Sequence, residues 1–106
     1  MNEGSTFSVD ADGQAYITGP LTLDTVTSVF QQAEDAANEG KTVSDLDLKN
    51  VSHVDSSGLA LLLEWQSMAS RNQYQLHIRN APEDLLSLAN LCEAGDLLSI
   101  NGREAV

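Results

Sequence analysis

A chain of 106 residues has room for one domain and one core. Sixteen acidic residues against five basic ones set the formal net charge at −11, which argues against nucleic acid and anionic membrane as partners, since only Lys41, Lys49, Arg71, Arg79 and Arg103 are there to displace counterions. A hydrophobic fraction of 42% argues against disorder, aromatics at 5% leave the core to Leu, Val, Ile and Ala, and the single cysteine, Cys92, excludes an internal disulfide or a cysteine-built zinc cluster.

Phe7-Ser8-Val9 predicts a short strand, and Asp10-Ala11-Asp12-Gly13 a tight turn that uses the access of glycine to positive φ. Ala15-Tyr16-Ile17-Thr18 is the return strand, and Gly19-Pro20 is expected to end it because proline cannot continue a hydrogen-bonded ladder. A helix follows on the spacing of Val26, Val29, Phe30, Ala33, Ala36 and Ala37. Thr22 is its expected N-cap, Asp24 sits at the positive end of its dipole, and Gly40 is its stop.

Residues 43–49 read as a central strand through Val43, Leu46 and Leu48, with Val51 and Val54 extending it toward Asp55. A second helix is predicted from Ser56-Ser57-Gly58 to about Arg71, with Leu59, Leu62, Leu63, Gln66 and Ala69-Ser70 along one face and Trp65 as its one large aromatic. Residues 74–79 alternate as a further strand, with Leu76 and Ile78 to one side and His77 to the other. Pro82 opens a third helix whose buried face is built by Leu85, Leu86, Leu88, Ala89 and Leu91, and Cys92 is read as core filler beside it. Leu97-Leu98-Ser99-Ile100 adds a last short strand and residues 101–106 a frayed tail, so the ordered core is expected over about residues 6–100. The sum is an α/β fold, a mixed sheet of about four or five strands with helices packed on it.

The opening Met1-Asn2-Glu3-Gly4-Ser5-Thr6 lacks the basic and apolar segments of a secretion signal. The longest apolar run, Leu59 to Leu63, is too short to cross a bilayer. A cytoplasmic location without direct membrane insertion is therefore expected.

The junction Val54-Asp55-Ser56-Ser57-Gly58-Leu59 carries the most information. A strand ends and a helix begins there, and the hydroxyl of Ser56 or Ser57 is expected to cap the orphan N–H groups, worth about 0.5–2 kcal/mol. Gly58 and Ala60 let the first turn lie close to the sheet. A protein with no function at this junction needs the same features. A serine at an exposed helix N-terminus is also a usable switch, because phosphorylation places about −1.5 to −2 charges at one small spot. The helix tolerates that anion, whereas a partner docked over the spot, with Asp55 already beside it, does not.

These residues resemble a known family. The Gly19-Pro20-Leu21 turn, the Val54-Asp55-Ser56-Ser57-Gly58-Leu59 signature and the Pro82 helix are similar to those of STAS domains, and the resemblance covers nearly the whole chain as a single domain, residues 1–106. STAS domains include bacterial anti-sigma-factor antagonists and the MlaB-type subunits of phospholipid-transporting ABC systems. In the antagonists the residue after the signature Asp is a serine phosphorylated by a partner kinase, which the resemblance places at Ser56. In MlaB-like subunits the same position is usually a Thr or Ser at the contact with the ATPase. Gly58-Leu59-Ala60-Leu61-Leu62-Leu63 and Leu88-Ala89-Asn90-Leu91 look MlaB-like; the antagonists more often carry glycine where Ala60 stands, and Gly19-Pro20-Leu21-Thr22 departs from their Gly-Glu-Leu-Asp turn.

The resemblance implies a non-catalytic accessory subunit, peripheral to the inner membrane through its partner. It would dock on the ATPase of a phospholipid transporter, and through it on the permease, in maintaining outer-membrane lipid asymmetry, with no cofactor of its own; the two histidines, His53 and His77, share no helical spacing, which argues against a metal site. The expected interface is Asp55, Ser56, Ser57 and Gly58 with the turn Gly19, Pro20, Leu21 and Thr22, and an isolated copy is expected to be able to form a homodimer through the vacant surface. An anti-sigma-factor antagonist switched by phosphorylation at Ser56 is the alternative. Two other chemistries lack their residues. A receiver domain needs an acidic pair after its first strand and a lysine at a later strand end, and Thr18-Gly19-Pro20 and Arg79-Asn80-Ala81 supply neither. A serine hydrolase needs a Gly-x-Ser-x-Gly elbow and an oriented histidine; Ser56 lacks the preceding glycine, and only His53 and His77 are present.

Overall fold

The computed structural model describes residues 4–73 and 75–92. In chain order they form β1 (Thr6–Val9), β2 (Gln14–Leu21), α1 (Val26–Asn38), β3 (Asp45–Asp47), β4 (Val51–Val54), α2 (Ser56–Arg71), β5 (His77–Arg79) and α3 (Glu83–Leu91). The expected strand at Leu97-Leu98-Ser99-Ile100, the tail at 101–106 and Tyr74 lie outside the described residues. The five strands make one mixed sheet with the order β1-β2-β3-β5, and β4 also pairs with β2.

The Asp-Gly turn forms where the sequence places it. Asp10 Oδ1 accepts the N–H groups of Asp12 and Gln14, and Gly13 takes φ +86°. β1 then pairs antiparallel with β2, with Phe7 opposite Ile17 and Val9 opposite Ala15. Ala15 and Ile17 are fully buried while Thr18, the next residue of β2, is exposed, the period-2 alternation of a sheet with one face in the core.

β2 does not stop at Gly19-Pro20. It runs on to Leu21, because β1 has already ended opposite Thr18 and the ladder to β4 passes through Gly19 and Leu21 with a register shift between them. No partner requires an N–H from Pro20 at such an irregularity. The Pro20 carbonyl is used instead, accepting the hydroxyls of Ser5 and Thr25. The same strand explains why the expected single strand over 43–49 is two. β3 pairs parallel with the first half of β2, Ala15 against Leu46, and β4 pairs parallel with the second half, Gly19 against Val51. Between them the chain turns aside: Leu48 N–H donates to Arg79 C=O, and Asp47 Oδ1 accepts the N–H of Lys49.

α1 begins at Val26 with Thr25 as its N-cap, not at Thr22. Thr22 belongs to the preceding turn, where its carbonyl accepts the N–H groups of Thr25 and Val26 and its own N–H donates to the Thr25 hydroxyl. Gly40, at φ +85°, follows the helix end as expected. From α1, the Gln32 amide reaches the outer edge of β1, accepting from Phe7 N–H at 2.9 Å and donating to Ser5 C=O at 3.0 Å. An edge strand presents unpaired backbone groups; here one side chain occupies two of them.

The core is a single cluster that includes Ile17, Leu21, Val29, Leu46, Leu48, Leu62, Ile78 and Leu85, so the helices cover the face of the sheet on which these residues lie. α3 contributes less than its apolar pattern suggests. Leu85 and Ala89 are buried, Leu86 and Leu88 are half-buried, and Leu91 is 80% exposed. Cys92 is exposed and free, so the expectation of a core cysteine is not met. Both residues fall at the end of the helix, past its contact with the core. No helix among the described residues is long and apolar enough to cross a membrane.

Truncating Leu62 to alanine is expected to cost about 2–5 kcal/mol in denaturant unfolding, because it empties a fully buried position between α2 and the sheet. Leu91→Ala should change stability by less than about 0.5 kcal/mol. A large loss at Leu91 would mean that this end of α3 is covered.

Candidate functional site

β4 ends at Val54 and α2 starts at Ser56, leaving Asp55 alone at the corner. Asp55 has extended backbone angles (φ −111°, ψ −171°) and is the N-cap of α2; its Oδ1 accepts Ser57 N–H at 2.9 Å and Gly58 N–H at 3.2 Å. The cap is thus a carboxylate, and neither serine hydroxyl supplies it. Its other oxygen reaches across the molecule, with Oδ2 accepting Leu23 N–H at 3.1 Å, while Asp55 N–H donates to Leu21 C=O at 3.3 Å. One side chain therefore caps a helix and pins the β2–α1 turn to it.

This geometry fixes the charge of Asp55. Burial pushes its pKa up, but the backbone N–H donors of Leu23, Gly58 and Ser57, together with the nearby His53, outweigh burial and hold the carboxyl below the ordinary range. A second carboxylate braces the same corner from the other side. Asp84, in the first turn of α3, has its Oδ2 2.6 Å from His53 Nδ1 and 3.4 Å from Val54 N. His53 is engaged there and makes no hydrogen bond to Ser56.

With the cap provided by Asp55, Ser56 is left as an exposed first helical residue whose hydroxyl makes no hydrogen bond among the described residues. Around it the eight expected interface residues divide into two groups. Asp55, Ser57, Gly19, Pro20 and Thr22 are half-buried and Ser56 is exposed, so these six reach the surface. Leu21 and Gly58 are buried and cannot touch a partner. They work from beneath. A Cβ at Gly58 would collide with the Leu21 carbonyl oxygen and lie 2.9 Å from Val54 Cγ1, so only glycine lets the α2 backbone approach the end of β2 this closely. Ala60 takes no part in that approach, being exposed.

Leu23, which the sequence reading did not single out, joins the site through its backbone and is 72% exposed. No local signal marks it, because the contact spans 32 positions in the chain. Trp65 lies elsewhere. It is nine residues along α2 from Ser56, about 14 Å at the helical rise, and stacks at a tilt against Phe7 with ring centroids 6.0 Å apart. There it lines an apolar cleft of about 300 Å³ between α1 and α2 together with Phe30, Ala33, Val43 and Met68.

A family model described as "Mlab, STAS domain" matches residues 7–99, and the chain belongs to that family. Among solved structures, the anti-sigma factor antagonist SpoIIAA in its unphosphorylated form aligns over 96% of this chain and 89% of its own, with a TM-score of 0.63 and 16% identity. At that identity the likeness establishes the fold, a mixed sheet of five strands with three helices among the described residues. No curated protein matches the chain.

Two consequences of the corner can be measured. Asp55→Ala should cost about 2 kcal/mol at neutral pH, the upper end for a lost N-cap, whereas Ser56→Ala should change stability by less than about 0.5 kcal/mol. Because folding lowers the Asp55 pKa, its contribution is fully present above the unfolded value of about 3.9 and is lost as pH falls through the lowered folded value. The gap between wild type and Asp55→Ala should therefore close in acid; a gap independent of pH would place the cap elsewhere. Gly58→Ala should lose about 1–3 kcal/mol through overpacking against a backbone carbonyl that cannot rotate away. Stability unchanged by that methyl would contradict the close approach.

Proposed function

We propose that this STAS domain is a non-catalytic accessory subunit of a phospholipid-transporting ABC system, docking on its cytoplasmic ATPase and supporting assembly or activity there. The observation that carries the reading is the state of Ser56: exposed, in the first turn of α2, with its hydroxyl released from capping by Asp55. The family match described as Mlab supports the transporter setting. The docking surface on this reading is Ser56 with Asp55, Ser57, Gly19, Pro20 and Thr22, shaped from below by Gly58 and Leu21. In this setting the subunit is cytoplasmic and reaches the inner membrane only through its partner.

A second reading draws on the fold shared with an anti-sigma factor antagonist. An exposed, unbonded serine at a helix N-terminus is open to a kinase, and the helix dipole accommodates the phosphate that results. Ser56 would then be a phosphorylation switch governing a regulator of transcription.

A tagged pull-down from the native cell, read by mass spectrometry, separates the two. Recovery of an ABC ATPase with its permease supports the transporter reading, and recovery of a serine kinase or sigma-factor regulator replaces it with the second. On the transporter reading, Ser56→Asp should weaken ATPase binding tenfold or more, about 1.4 kcal/mol, at an unchanged thermal midpoint, because a bulkier carboxylate must be desolvated inside a close contact while the cap is left untouched. Wild-type affinity in that variant would remove Ser56 from the interface.

A further inference from the structure

We propose that Leu23 is the apolar anchor of the docking surface, seated in a socket on the ATPase that is rimmed by basic side chains; the proposal rests on the transporter reading given above. Single exposed leucines are common on protein surfaces and by themselves signify nothing. Leu23 differs in how it is held. Its N–H donates to Asp55 Oδ2, so the residue is tied to the cap that sets the position of Ser56.

The turn on which it stands is fixed at further points. Thr25 is buried, its hydroxyl donates to Pro20 C=O at 2.8 Å and accepts Thr22 N–H at 3.0 Å, and the N–H of Thr25 returns to Thr22 C=O at 2.9 Å. A leucine on a mobile loop loses conformational freedom when it docks. One on a turn already pinned at both ends loses little, which is the condition for an anchor.

The fold itself makes no use of this side chain. Asp55 needs only a backbone N–H at position 23, which any residue but proline provides, yet the position between Thr22 and Asp24 carries a large aliphatic group that is 72% exposed. The neighbours set the chemistry of the socket. Asp24 is exposed directly beside Leu23, the Asp55 carboxylate accepts the Leu23 N–H, and the chain as a whole carries −11. A complementary surface is an apolar recess edged by Lys or Arg.

The test uses the full chain and the ATPase subunit of the phospholipid transporter, with affinity measured by titration and folding followed by the thermal midpoint. Leu23→Ala should weaken binding about tenfold, Leu23→Met should retain it, and neither should move the midpoint. Asp24→Asn should weaken binding less and reduce its sensitivity to salt. If Leu23→Ala binds as tightly as wild type while Ser56→Asp does not, the anchor is wrong and the docking surface stands. If the wild-type chain does not bind the ATPase, the transporter reading falls and the anchor falls with it.

Discussion

A carboxylate at the corner between β4 and α2 accepts three backbone N–H groups, two from the helix it caps and one from a turn 32 residues earlier in the chain. Each is a charge-assisted hydrogen bond to a donor that would otherwise lack a partner, and together they outweigh desolvation and hold the Asp55 carboxyl below its ordinary range. Three features of the molecule depend on this arrangement. α2 starts at a fixed residue, the β2–α1 turn has a fixed place above it, and Ser56 is relieved of structural duty. Had a serine hydroxyl provided the cap, that hydroxyl would have been occupied.

The corner can exist only because the backbone beneath it is compact. β2 continues through Gly19-Pro20 and ends at Leu21, where its carbonyl receives Asp55 N–H and lies under Gly58. A strand ending at Thr18 would have left Asp55 with nothing to reach. Asp84 braces β4 from α3 through Val54 N–H and His53, so elements from three parts of the chain converge on a few residues. Their rigidity matters for recognition, since a surface that is already ordered gives up little conformational entropy on binding.

The charge of the site bears on both proposed functions. A helix N-terminus favours an anion, while Asp55 and Asp24 beside it make the surface responsive to any negative charge added at Ser56. On the docking reading, a larger charged group at Ser56 must be desolvated within the contact. Added charge at Ser56 alters the contact without unfolding the domain, because the cap does not pass through that residue. The two proposed functions thus draw on one geometry, and the identity of the partner distinguishes them.

The helices and the hairpin were legible in the sequence because their signals are local: the 3.6-residue spacing from Leu59 to Ala69, the Asp12-Gly13 turn, and Pro82 ahead of α3. The Val54–Leu59 signature likewise marked the junction between β4 and α2 within a few residues. Misjudged were features decided by a distant partner. The run through Gly19-Pro20 depends on β1 having ended and on the bulged ladder to β4. The division of residues 43–54 into two strands arises because both halves pair with one long β2. Leu91 and Cys92 look apolar in sequence, yet they lie past the point where α3 meets the core. Composition and local periodicity determined the class of fold, the acidic surface and the position of the strand–helix junction. Which residue at that junction would cap, which would be buried and which would face solvent was settled by contacts between segments far apart in the chain, where neither propensity nor periodicity has a reach.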